Sequence, residues 1–198
     1  MSTPMMALPA APAPPRPRLL MVATSLAVAV GTMAFGGFLA VYLSMREAAG
    51  GTTADWVPSS ITFPQITVNV VAITLVGSVV VIHWALWSIS QGDRRNSYIA
   101  LGLTVVLGFA ALNAMAFSFR QMHLAVNDNV YSVMVVTIAG AFVVLLVCAM
   151  VFIGLMAFRT LGGRYTAKEH EGIAAAALFW DFTVFIYIAV WYFLFVLK

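Results

Sequence analysis

Charge is scarce in this sequence: ten Lys and Arg and seven Asp and Glu make up 9% of 198 residues, against about 25% in a soluble domain. Hydrophobic residues fill the difference at 63%, well above the roughly 45–50% of a soluble chain. A water-soluble fold is thereby excluded. The net charge of +3 is spread along the chain, and no basic patch alternates with aromatic residues, which excludes a nucleic-acid surface. Cysteine is rarer still. Cys148 stands alone in an apolar run, so no intrachain disulfide can form, and it reads as a small hydrophobe in packing. The three histidines, His83, His123 and His170, fall at different membrane depths, too far apart for one metal shell. No Ser, His and Asp share one depth as a nucleophilic group would. No fixed-period repeat is present, which counts against a transporter built from inverted halves.

What is present is long apolar stretches. Residues 1–18 hold six of the eight prolines and no helical period, and read as a disordered or polyproline-like cytoplasmic tail. Residues 19–198 then form one transmembrane domain. Five stretches, about 19–44, 61–90, 97–122, 130–158 and 173–197, meet the roughly 20 apolar residues that a bilayer core demands. The first is too long for a signal peptide and is predicted to be a retained span. The expected fold is therefore an all-α, five-helix membrane bundle with its termini on opposite sides. Placing the N-terminus in the cytoplasm puts Arg16, Arg18, Arg94, Arg95, Arg159, Arg164 and Lys168 inside, and Arg46, Arg120 and Lys198 outside, which satisfies the positive-inside rule. Residues 46–60 read as a short surface loop, and Asp93 to Asn96 as a tight turn.

The last span organises the rest. Thr166 followed by Glu169 has the spacing of a capping box, and from Ile173 to Leu197 the only ionisable acid is Asp181. A carboxyl group in hydrocarbon must be neutral, paired or turned toward protein, so Asp181 is expected to face the bundle interior. Counted at 1.5 Å per residue, Asp181 and His83 both lie about 10 Å from the same face. They are the candidate buried polar pair; the alternative is that Asp181 meets a hydroxyl or indole while His83 bonds a backbone carbonyl. Asn69 and Asn113 are the candidate interhelical polar contacts. Gly36-Gly37 and the Ala174 to Ala177 run mark places where helices or lipid tails approach the backbone closely, and most tryptophans are expected toward span ends as interfacial anchors. A haem on His83 would need a second axial ligand; His123 and His170 sit at opposite surfaces, which leaves a His and Met pair as the one arithmetic option.

Several of these strings together resemble one family. Tyr165-Thr166, His170, the alanine run and Phe179-Trp180-Asp181-Phe182 are similar to the aromatic-Trp-His-Phe segment of subunit III of the haem-copper terminal oxidases. Arg16-Pro17 with Met33 to Gly37 and Ala40-Val41-Tyr42, then Pro64 with Asn69, and Gly108 with Arg120, fit the family's successive helices. The departures are specific. Gly31 and Ser118 stand where the family usually has glutamate, Met115 where it has glutamine, and Ala141 to Val144 lack its two histidines. Asp181 replaces a histidine, and the usual aspartate falls at about Val184.

The resemblance implies a subunit without catalytic residues, haem or copper of its own. It would pack beside catalytic subunit I, with subunit II in the same complex, bind phospholipid, and support oxygen reduction by cytochrome c or quinol in a bacterial cytoplasmic membrane. With the acidic groups gone, packing and lipid binding remain rather than direct proton handling. The alternatives are an accessory subunit of nitric oxide reductase, an independent transporter, and a cofactor-bearing anchor.

Overall fold

The structure, a computed structural model, describes residues 18–58, 61, 64–122, 129–167 and 169–197. Five long helices, each apolar enough to cross a membrane, account for most of it: α1 (Leu19–Ala48), α3 (Gln65–Ser90), α4 (Arg94–Met122), α5 (Val130–Leu161) and α6 (Glu171–Trp191). A one-turn helix, α2 (Thr53–Trp56), lies in the loop after α1, and a π turn (Tyr192–Val196) extends α6. No strand occurs among the described residues. The protein is a multi-pass membrane bundle. The proline-rich tail up to residue 17, His123, Lys168 and Lys198 lie outside the described residues.

Helix ends follow local chemistry. Gly92, at φ +82°, closes α3: its N–H donates to Ile89 O at 2.9 Å and that of Asp93 to Ser88 O at 2.9 Å, the paired pattern that a left-handed glycine permits. Asp93 then caps α4, its Oδ1 accepting from Asn96 N–H at 3.1 Å. Arg94 to Asn96 thus form the first turn of α4 rather than the connecting turn, and the helix starts three residues earlier than hydropathy predicts. The reason is that a capped first turn extends the helix into the polar region, where hydropathy no longer reports it. Asn129 likewise caps α5, accepting from Ser132 N–H at 2.8 Å.

The start of α6 differs from expectation. Thr166 Oγ1 does accept from Glu169 N–H at 3.2 Å, but the two residues close a turn of their own, with mutual backbone bonds, before the helix begins. The N-cap is His170, whose side chain makes no capping bond. Glu171 instead reaches across, and its Oε1 accepts from Met21 N–H at 2.9 Å. One of the free N–H groups at the start of α1 is thereby satisfied by another helix.

Packing places α6 centrally. It contacts α1, α3 and α5, while α4 packs between α3 and α5. α1 is the least buried span and α6 the most. Small residues let α6 approach its neighbours: Ala175, Ala176 and Ala177 are all buried. A Cβ on Gly31 of α1 would come within 2.6 Å of Phe182 Cζ, so this glycine makes room for an aromatic ring of α6. Gly36 and Gly37, expected where helices or lipid tails come close, are exposed and face no described atom within 4 Å, which leaves them to the lipid side of that expectation. Two tryptophans depart from the anchor role. Trp180 is fully buried, and Trp56 of α2 is held edge-on between Tyr42 of α1 and Tyr131 of α5, with ring centroids 5.5 and 5.8 Å away. The described part of the loop after α1, residues 49–58, is therefore pinned into the bundle through Trp56 rather than being a plain surface loop. Cys148 is exposed on α5, not packed in the core.

Candidate functional site

Polar contacts between α3 and α6 line one antiparallel seam. Each helix is apolar nearly all round, so a polar group there gains most by meeting a partner on a neighbouring helix. Four such contacts run along the seam. Trp180 Nε1 donates to Ser78 Oγ at 2.9 Å, and Ser78 Oγ donates on to Leu75 O at 2.6 Å. Tyr187 Oη donates to Val68 O at 3.1 Å, and Trp191 Nε1 donates to Asn69 Oδ1 at 2.9 Å. The fourth contact lies at the other end: His83 Nε2 stands 3.4 Å from Asp181 Oδ2.

The sequence residues sort accordingly. His83 and Asp181 come together, but not in the interior: their side chains are 51% and 36% exposed, so the pair sits at the open edge of the seam. Expectation placed Asp181 inside the bundle, yet the inward position is taken by Trp180, one residue and about 100° around the helix from it. His83 Nδ1 lies 3.0 Å from Val79 O; a carbonyl only accepts, so Nδ1 carries a hydrogen. The contact at Nε2 is then attractive only when one proton lies between the two groups, on the ring or on the carboxyl. Both arrangements are electrically neutral as a pair, the form that a membrane-facing site favours. Asp181 Oδ1 is buried and has no hydrogen-bond partner among the described residues.

Asn69 meets Trp191, an interhelical contact. Among the described residues Asn113 makes none: it lies on the exposed face of α4, because its neighbours Ala111 and Met115 turn toward the core instead. Sequence reasoning missed Ser78, Trp180 and Tyr187. Their periodicity offered a weak signal, since Trp180, Tyr187 and Trp191 recur at spacings of seven and four on one face of α6. Most other intramembrane hydroxyls, including Thr24, Thr104, Ser118, Thr160 and Thr183, donate to a carbonyl four residues back in their own helix. They are internally satisfied and link no second helix. Among the described residues no group of three His, Cys, Asp or Glu could hold a metal ion.

Comparison with known proteins gives this architecture a family. Residues 20–197 match cytochrome c oxidase subunit III. Cytochrome c oxidase subunit 3 of Carassius auratus is 27% identical over 165 residues, and that of Cyprinus carpio 28% over 167, each covering 79% of this chain and 62% of the relative. The protein of the same name in Gallus gallus is 29% identical over 114 residues, covering 58% of this chain and 44% of the relative. The chain thus spans less than two thirds of the length of these relatives. With the match running from α1 through the π turn after α6, this chain belongs to the cytochrome c oxidase subunit III family.

Proposed function

We propose that this chain is a non-redox subunit of a respiratory haem-copper oxidase, packing beside catalytic subunit I, in a complex with subunit II, and binding phospholipid. The observation that carries this reading is the family match across all five spans. In the complex, haem and copper in the partner subunits pass electrons from cytochrome c or quinol to dioxygen and drive proton translocation. This chain contributes a rigid membrane wall. Several of its intramembrane polar side chains are spent on the α3–α6 seam or on their own helices, which supports a packing and lipid-binding role. His83 and Asp181 act as a neutral polar clasp at the edge of that seam.

The orientation is N-terminus in the cytoplasm. Arg94, Arg95, Arg159 and Arg164 gather at the α3–α4 and α5–α6 ends, against Arg46 and Arg120 at the opposite one. The proposed setting is a bacterial cytoplasmic membrane, crossed by the five apolar helices. Purification from native membranes in mild detergent, with mass spectrometry and a reduced-minus-oxidised spectrum of the same eluate, tests the assignment. Co-purification of a haem-copper catalytic subunit is the expected result. A partner with nitric oxide reductase chemistry would move the chain to that enzyme, and a colourless eluate without such a partner would overturn the reading.

A further inference from the structure

A cleft of about 300 Å³ opens between the start of α3 and the end of α6, lined by Gln65, Val68, Asn69, Trp191, Phe195 and Val196. That volume is at the lower end of small-molecule sites. Its far wall is made by the π turn, in which Leu197 N–H donates to Tyr192 O at 2.8 Å, five residues back. The extra residue per turn widens the backbone where Phe195 and Val196 line the cleft, and such turns recur at functional positions.

The polar lining has a defined sense. An indole N–H can only donate, so the 2.9 Å contact from Trp191 fixes the Asn69 carboxamide with its oxygen toward the ring. Both Nδ2 hydrogens are then left over, and no described residue accepts them. Gln65 lies four residues earlier on the same helix face, and its carboxamide also bonds no described residue. The two amides thus present donors into a cleft walled by Trp191 and Phe195.

Their depth narrows the ligand. At 1.5 Å per residue, α3 with its 26 residues is about 39 Å long, against a hydrocarbon core of about 30 Å. With α3 centred on that core, Gln65 would stand just outside the hydrocarbon and Asn69, about 6 Å further in, at its edge. A ligand suited to this place has an acceptor oxygen at the polar boundary and an apolar remainder. We propose that the cleft binds the carbonyl group of a membrane amphiphile, with Asn69 Nδ2 and the Gln65 amide donating to the oxygen and Trp191 and Phe195 packing beside it. Two molecules carry that chemistry to that depth: a diacyl phospholipid, through its ester carbonyls, and a quinone ring on an apolar tail. The site deepens the lipid-binding part of the proposed function and depends on the membrane setting, not on which catalytic subunit lies alongside.

The test uses the full chain in nanodiscs of diacyl phosphatidylglycerol and, separately, of the diether lipid with the same headgroup, which lacks ester carbonyls. Native mass spectrometry after release counts the lipids retained. An ester site predicts retention about five- to tenfold higher for the diacyl form, the ratio that one neutral hydrogen bond supplies. Asn69→Ala is expected to abolish that preference, and Trp191→Phe, which keeps an aromatic wall but frees the amide to turn, to weaken it. A quinone site predicts instead that a short-tailed benzoquinone is retained in the diether discs and lost in Asn69→Ala. Equal retention of diacyl and diether lipid by the unaltered chain, with no quinone retained, overturns the proposal without reference to any variant's folding. Co-purification with a catalytic subunit, scored separately on the same variants, bears on the proposed function alone.

Discussion

Trp180 and Ser78, 102 positions apart in the chain, meet through a 2.9 Å hydrogen bond with both side chains fully buried. The indole also fills the space over Gly108: a Cβ there would stand 3.1 Å from Trp180 Cη2 and 3.0 Å from the Met150 side chain. Three helices are thus keyed together at one point on α6. The seam is as much a packing device as a polar one.

Removing that key is expected to destabilise the bundle in two graded ways. Trp180→Phe deletes the N–H and part of the ring, and Gly108→Ala adds a methyl group against the Trp180 ring and Met150, a form of overpacking that costs about 1–3 kcal/mol. Trp180→Ala leaves a cavity worth about 3–5 kcal/mol. Thermal unfolding midpoints in one detergent should order wild type above Trp180→Phe, and that above Trp180→Ala. Equal midpoints for the two variants would contradict the keyed arrangement.

Gly31 and Gly36 make a matched pair for a second test. Gly31→Ala pushes against the Phe182 ring, whereas Gly36→Ala meets no described atom within 4 Å. The first is expected to loosen α1 from α6 at a cost of about 1–3 kcal/mol, and the second to stay within about 0.5 kcal/mol in the isolated chain. Shortening the ring with Phe182→Leu should recover much of the Gly31→Ala loss, measured by protease resistance of the α1–α6 contact. Two additive losses would show that the ring is not what the glycine accommodates.

The His83 and Asp181 contact calls for a double-mutant cycle. Removing either partner leaves the other as an uncompensated polar group at a lipid-facing edge, so each single alanine variant should cost more than its share of the pair. A coupling of about 0.6–1.7 kcal/mol is expected from intramembrane polar contacts. Chemical unfolding in mixed micelles provides the readout, and strict additivity would remove the clasp role.

Topology can be read with single cysteines in a Cys148→Ser background. Ala49→Cys and Gln91→Cys lie at opposite ends of the bundle, both exposed. In right-side-out vesicles a membrane-impermeant maleimide should label position 49 and spare position 91 until the membrane is opened. The reverse pattern would invert the assigned orientation.

What could be read in advance follows a physical division. The number of spans was legible, because a hydrocarbon slab imposes a length on each helix and every backbone polar group must be satisfied inside it. The Asp93 and Asn129 caps, by contrast, work through local hydrogen bonds beyond the hydrophobic run, which is why α4 begins at Arg94 instead of residue 97. The shared depth of His83 and Asp181 was legible too, since depth depends only on helical rise. Their exposure was not.

Composition and run length were enough for the membrane setting and the five spans, properties that depend on one helix and the slab around it. Which face of each helix looks inward came instead from packing. In spans apolar on every side, rotation about the helix axis leaves no mark on hydropathy, and it is chosen by the fit of large side chains against small ones. That fit turns Trp180 inward over Gly108, moves Asp181 to the edge of the seam and leaves Asn113 on the outer surface.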